Sequence, residues 1–108
     1  MIMMLAAVVA LSGGPIGKFE TRTPVADYET PAKMEDVERC LVLMDAGAPP
    51  TVYKQADRPN DTMLVWMKVG EFYGVPGARL DLHRTAAGTH VRSWMPAKQA
   101  LDCAPKAG

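Results

Sequence analysis

Apolar side chains recur at intervals of three and four between residues 31 and 47. These side chains are Met34, Val37, Leu41 and Met44. Their spacing places them on a single face, so this stretch predicts an amphipathic helix. Thr30 is a good N-cap and Pro31 is tolerated at the first helical position, so we expect the helix to begin there.

The segments after this helix have the pattern of strands. Residues 51–56 predict a short strand, because they contain the β-formers Val52 and Tyr53. Residues 62–69, with the sequence TMLVWMKV, are nearly continuously apolar and predict a central strand with both faces partly covered. The polar residues 57–61 predict the turn between these strands.

Residues 78–84 and 89–95 predict a hairpin whose register is selected by its side chains. The inner face pairs Leu82 with Val91 and Leu80 with Ser93, and the outer face pairs His83 with His90, Asp81 with Arg92 and Arg79 with Trp94. A slip by one residue would place an arginine opposite a leucine and destroy the alternation on both faces. The sequence therefore predicts an opposite-charge pair and a cation–π pair on the outer face.

The chain has two cysteines, one in the first predicted helix and one near the C-terminus. Residues 97–102 follow Pro96 and predict a short C-terminal helix, with Cys103 at its end, while Cys40 lies beside the apolar stripe of the first helix. Two cysteines in a small exported domain predict a disulfide, and two buried free thiols in a cytosolic protein are the alternative. The bridge would require both helices to lie on the same face of the sheet.

These elements indicate an α+β fold. We expect an N-terminal amphipathic helix, an antiparallel meander of about four strands, a short C-terminal helix on the same face and one disulfide. A chain of 108 residues is long enough for one such domain.

The N-terminus has the features of a secretory signal. Residues 2–11 form an unbroken apolar run that is too short for an ordinary transmembrane helix. Ala10 and Ser12 supply the small residues that precede a cleavage site. Gly14 stands where a bacterial lipoprotein would carry its lipidated cysteine, so we expect no lipid anchor and no membrane span after the leader is removed.

This organisation divides the chain into three parts. We expect a signal peptide over residues 1–12, a flexible tether over residues 13–30 and a single α+β domain over residues 31–104. The tether is expected because residues 18–30 have mixed charges and no sustained periodicity.

Composition narrows the classes of function. Lys plus Arg equals Asp plus Glu, which gives a formal net charge of +0 and argues against a nucleic-acid partner. Serine occurs only at Ser12 and Ser93, so the chain has few ways to build a relay of nucleophile, base and orienting group. We therefore expect a protein that is not an enzyme and has no cofactor.

Two groups of residues are candidates for contact with a partner protein. Phe72 and Tyr73 lie in a glycine-rich loop over residues 70–77, where exposed aromatic side chains either contact a partner or fold back over the sheet. Arg79, Arg92 and Trp94 belong to the outer face of the hairpin. That face is either bare, and suited to a partner, or covered by the N-terminal arm or a helix.

The two histidines of the hairpin are a weaker candidate site. His83 and His90 are predicted to lie side by side, where they can share a metal, form a pH-sensitive pair or remain a solvated surface pair. The sequence supplies no third metal ligand for them.

From these observations we expect a periplasmic or secreted protein of the bacterial envelope. Its expected role is to bind another envelope protein without catalysis. The alternative is a small-ligand or metal-binding carrier of the periplasm that uses the cleft between helix and sheet or the histidine pair.

Overall fold

A five-stranded antiparallel sheet carries both α-helices on one of its faces. The computed structural model describes residues 17–44, 49–67 and 76–107. The elements are a 3₁₀ helix (Gly17–Thr21), β1 (Ala26–Thr30), α1 (Met34–Leu43), β2 (Thr51–Gln55), β3 (Arg58–Met67), β4 (Pro76–Thr85), β5 (Gly88–Ser93) and α2 (Ala97–Cys103). The strand order is β1-β5-β4-β3-β2. The α+β class is therefore confirmed, with five strands where about four were expected.

Strand β1 is the additional strand that was not expected. It lies in the segment that was expected to be a flexible tether. Its side chains alternate, with Ala26, Tyr28 and Thr30 turned toward the helices, and it pairs antiparallel with β5. The expectation of a tether is wrong for Ala26–Thr30, because hydrogen bonds to a distant strand fix this segment. The expected signal peptide over residues 1–12 lies outside the described residues.

Helix α1 begins later than its sequence signals suggest. Thr30 is the last residue of β1, and its side-chain oxygen accepts a hydrogen bond from the Ala32 amide at 3.3 Å. The N-cap is Lys33, without a side-chain capping bond, and the first helical residue is Met34. The expected start at Thr30 is wrong, because pairing with β5 holds Thr30 in extended geometry.

The predicted register of the hairpin is confirmed. Leu82 pairs with Val91, His83 with His90 and Asp81 with Arg92. The Trp94 amide donates to the Arg79 carbonyl at 2.8 Å, and the Arg79 guanidinium lies 5.3 Å from the centroid of the Trp94 ring. The cation–π pair is therefore present on the outer face.

The hydrophobic core lies between the sheet and the two helices. Its fully buried side chains include Met34, Val37 and Leu41 of α1 and Leu64, Leu80, Leu82 and Val91 of the sheet. The apolar stripe predicted for the first helix is thus the surface that packs against the strands. Trp66 of β3 is also buried here, and its indole N–H has no hydrogen-bond partner among the described residues.

A disulfide joins the two helices, as predicted from the cysteines. Cys40 of α1 and Cys103 of α2 are bonded, with their Cα atoms 5.5 Å apart. The bond spans 63 positions of sequence and contributes about 4 kcal/mol in the chain-entropy model. Within the described part of the chain, no helix has the length and apolar character needed to cross a membrane.

Candidate interaction surface

The outer face, which is the face of the sheet opposite the helices, is rich in charged side chains. The strand register places Asp27 and Glu29 of β1, His90 and Arg92 of β5, Arg79, Asp81 and His83 of β4, and Asp61 and Met63 of β3 on this face. Successive side chains of a strand point to opposite faces of the sheet. The residues between these positions therefore point toward the helices and fill the core.

A concavity of about 390 Å³ opens on the outer face, and we call it the outer groove. Its lining includes Tyr53, Arg58, Met63, Asp81, His83 and Arg92, and it extends to Glu20 and Arg79. The groove is therefore polar around an apolar strip formed by Tyr53 and Met63. Such a mixed surface suits a polypeptide partner better than a purely apolar ligand.

The N-terminal segment, residues 17–22, covers the part of the outer face next to the groove. The Phe19 side chain is 3% exposed, and its ring centroid lies 6.1 Å from that of Trp94. The Trp94 indole N–H donates to the Arg22 carbonyl at 3.0 Å. Of the two arrangements that the sequence left open, the structure shows that the N-terminal arm covers the face around Trp94.

Arg79 is buried beneath this segment. Its guanidinium donates two hydrogen bonds of 2.8 Å to the Asp81 carboxylate and one of 3.2 Å to Oε2 of Glu20. Burial lowers the pKa of Arg79, but the hydrogen bonds and charges of Asp81 and Glu20 outweigh it, so the net pKa is raised. The guanidinium therefore remains a permanent cation, although its own side chain is only 5% exposed.

The opposite-charge partners on the outer face differ from those that the register alone suggests. Asp81 stands opposite Arg92 in the ladder, yet its carboxylate pairs with Arg79 on its own strand. The Nε of Arg92 lies 3.4 Å from Oδ2 of Asp27, and its guanidinium lies 5.3 Å from the Trp94 ring centroid. Two arginines therefore flank one indole, and we call Arg79, Arg92 and Trp94 the aromatic subsite.

The two histidines bind carboxylates on opposite sides of the hairpin. The Nδ1 of His83 lies 2.5 Å from Oδ1 of Asp61 on β3. Both ring nitrogens of His90 lie 2.6 Å from carboxylate oxygens of β1, Nε2 from Oδ1 of Asp27 and Nδ1 from Oε2 of Glu29. Among the residues that the structure describes, no three His, Cys, Asp or Glu side chains are arranged to hold a metal ion.

Arg58 differs from the other arginines of the groove. Arg79 and Arg92 both have carboxylate partners, whereas Arg58 is exposed and has no ion pair among the described residues. Its neighbours along the groove lining include Tyr53, which is 41% exposed. The groove therefore presents an exposed cation and an accessible aromatic ring in one lining.

The sequence analysis located only part of this surface. Arg79, Arg92 and Trp94 are brought together as expected, but Arg79 and Trp94 are buried under the N-terminal segment. Phe72 and Tyr73 lie outside the described residues. Tyr53 and Arg58 were not identified as candidates, because their place on this face depends on the pairing of β2 with β3 and on the irregular register after Tyr53.

Comparison of the chain with protein-family models, curated proteins and solved structures gives no match.

Proposed function

We propose that this protein is a small exported protein of the bacterial periplasm that binds another envelope protein through the outer groove. The observation that carries the proposal is that the exposed cation of Arg58 lines the same groove as the apolar strip of Tyr53 and Met63. A partner that presents an acidic residue beside an aromatic or aliphatic one would be complementary to these groups.

The disulfide supports the proposed location. Structural disulfides form and persist in oxidising compartments such as the bacterial periplasm, and reducing systems remove them in the cytosol. The Cys40–Cys103 bond joins two elements of the core, so it has a structural role.

The polar side chains support binding rather than catalysis. Ser93 is buried, and its hydroxyl donates to the Met95 carbonyl at 3.3 Å. Within the described residues, His83 and His90 contact carboxylates and no hydroxyl or thiol. A nucleophile paired with a base is the usual requirement for covalent catalysis.

A charge reversal in the groove tests the proposal. Arg58→Glu should weaken partner binding about tenfold or more, because it replaces attraction of an acidic residue by repulsion. Arg39→Glu is the matched control, since Arg39 is also exposed and without an ion pair in the described structure, but lies on α1. Binding is measured as retention of envelope proteins on immobilised wild-type and variant protein.

A photo-crosslinking amino acid identifies the surface directly. Placed at position 53, it should give an adduct with the protein that R58E fails to retain, whereas placement at Val42, which is 36% exposed on α1, should not. Equal retention by R58E and R39E, or the same adduct from both positions, would refute the groove as the binding surface.

A further inference from the structure

The N-terminal segment lies on the outer face in the manner of a bound peptide. It forms a single 3₁₀ turn, Gly17–Thr21, and Phe19 is the residue of this turn that is buried. The chain then continues into β1, where the Val25 amide donates to the Ser93 carbonyl at 2.7 Å. Among the described residues, the contacts of the turn with the sheet include the buried Phe19 ring and the ion pair of Glu20.

Two adjacent residues of the segment match two adjacent features of the aromatic subsite. The Phe19 ring packs at 54° against the Trp94 ring, and the Glu20 carboxylate approaches the Arg79 guanidinium. Tilted aromatic contacts and paired charges are both specific in geometry. The subsite is therefore complementary to an aromatic residue followed by an acidic one.

The contacts of this segment are suited to exchange. The Glu20 side chain is 59% exposed, so its ion pair with Arg79 is strongly screened by water. Lys18 Nζ and the Arg22 guanidinium lie 5.2 Å and 5.6 Å from the centroid of the Phe19 ring.

We infer that the aromatic subsite binds a partner polypeptide in which an acidic residue follows an aromatic one, and that the N-terminal segment competes for the same place. The inference rests on the proposed function, since it adds a second contact for a partner on the outer face. The outer groove extends to Glu20 and Arg79, so one extended partner segment can occupy both the groove and the subsite.

A peptide of the sequence Gly-Lys-Phe-Glu-Thr-Arg, labelled with fluorescein, tests the inference. Its affinity for the full-length Phe19→Ala variant should be about tenfold higher than for wild type, because the wild-type segment leaves only a fraction of the subsites free. Val25→Ala is the matched control, since Val25 is 60% exposed and lies just outside the segment. It should behave as wild type, and a peptide with lysine in place of glutamate should bind more weakly.

The indole N–H signals in NMR spectra report where the peptide binds. The Trp94 signal should shift in Phe19→Ala and move back when the peptide is added, while the Trp66 signal in the core should stay unchanged. Glu20→Lys is the second variant, to be used if Phe19→Ala does not fold. It loosens the segment without removing the buried ring, so the peptide affinity and the Trp94 signal should change in the same direction but by less.

Equal peptide affinity for wild type, Phe19→Ala and Glu20→Lys would overturn the inference. A Trp94 signal that does not change when the peptide saturates the protein would also overturn it. These results do not depend on Arg58. Loss of the inference is therefore distinguishable from loss of the proposed function, which is judged by R58E and by crosslinking at position 53.

Discussion

Tyr28 shows how one side chain connects β1 to the C-terminal end of the chain. Its hydroxyl donates to the Ala104 carbonyl at 2.5 Å, and Lys106 lies 6.0 Å from its ring centroid. The Ala107 amide donates to the carbonyl of the neighbouring Glu29 at 3.0 Å. The C-terminal residues therefore cover part of the β1 edge of the sheet.

The stability of the protein should fall at alkaline pH because of Tyr28. Burial raises the pKa of Tyr28 above its ordinary value of 10.0, so the folded protein keeps this proton where the unfolded chain loses it. The stabilisation is complete below the ordinary pKa and is lost as pH rises through the raised folded pKa. Urea unfolding between about pH 8 and pH 11 measures this loss.

Tyr28→Phe should show a smaller loss of stability over the same pH interval. At neutral pH it should be less stable than wild type by about 1 kcal/mol, because the hydrogen bond to Ala104 is missing. Tyr53→Phe, at an exposed position, is the control and should follow wild type. Identical pH profiles for wild type and Tyr28→Phe would show that Tyr28 is not responsible.

At the scale of elements, the hairpin between β4 and β5 shows what local sequence can predict. Its register was predicted because leucine and valine alternate with charged residues on both strands, and a slip would bury charge. The pattern of Ala26–Thr30 also alternates, but its partner β5 lies near the other end of the chain. Nothing local connects the two strands, so β1 was not predicted.

The covering of the aromatic subsite was not predictable for the same reason. Phe19 precedes β1, and its position over Trp94 depends on the pairing of β1 with β5. That pairing brings the start of β1 beside Trp94, because the Val25 amide donates to the carbonyl of the adjacent Ser93. The groove residues Tyr53 and Arg58 likewise became recognisable as neighbours only through the order of strands in the sheet.

Gly88 is where the hairpin turn meets the connection between β1 and α1. Its φ is +153°, and a Cβ there would lie 2.1 Å from the Thr30 carbonyl oxygen. Gly88→Ala should therefore destabilise the protein by about 2 kcal/mol or more, through backbone strain and the shift forced on Thr30. Ala87→Ser, at the adjacent exposed position, should stay within about 0.5 kcal/mol of wild type.

Urea unfolding curves of the two turn variants check this expectation. A loss confined to Gly88→Ala would locate the constraint in the contact between the turn and Thr30. A Gly88→Ala midpoint equal to that of wild type would mean that the turn and the β1–α1 connection separate without cost.

At the scale of the whole molecule, the disulfide closes a loop that contains β2 to β5. The cysteines were predictable as a pair because one lies beside the apolar stripe of α1 and the other is the last residue of α2. A domain this small obtains only limited stability from its core, so the crosslink is a large part of the total.

Removing the bond should lower the free energy of unfolding by about 4 kcal/mol. The variant with both Cys40→Ala and Cys103→Ala is compared with wild type by urea unfolding, with and without a reducing agent. Wild type should shift to a lower midpoint on reduction, whereas the double variant should not respond. A loss below about 1 kcal/mol in the variant would contradict the expectation.

Strand β1 lies outside the covalent loop, and its place in the sheet has a consequence for the order of assembly. A ribosome releases residues 26–30 early, but their partner strand β5 emerges only after most of the chain. The sheet is therefore completed after synthesis of the domain is nearly finished. Chains interrupted before residue 88 would expose β1 without its partner, and unpaired strands promote aggregation.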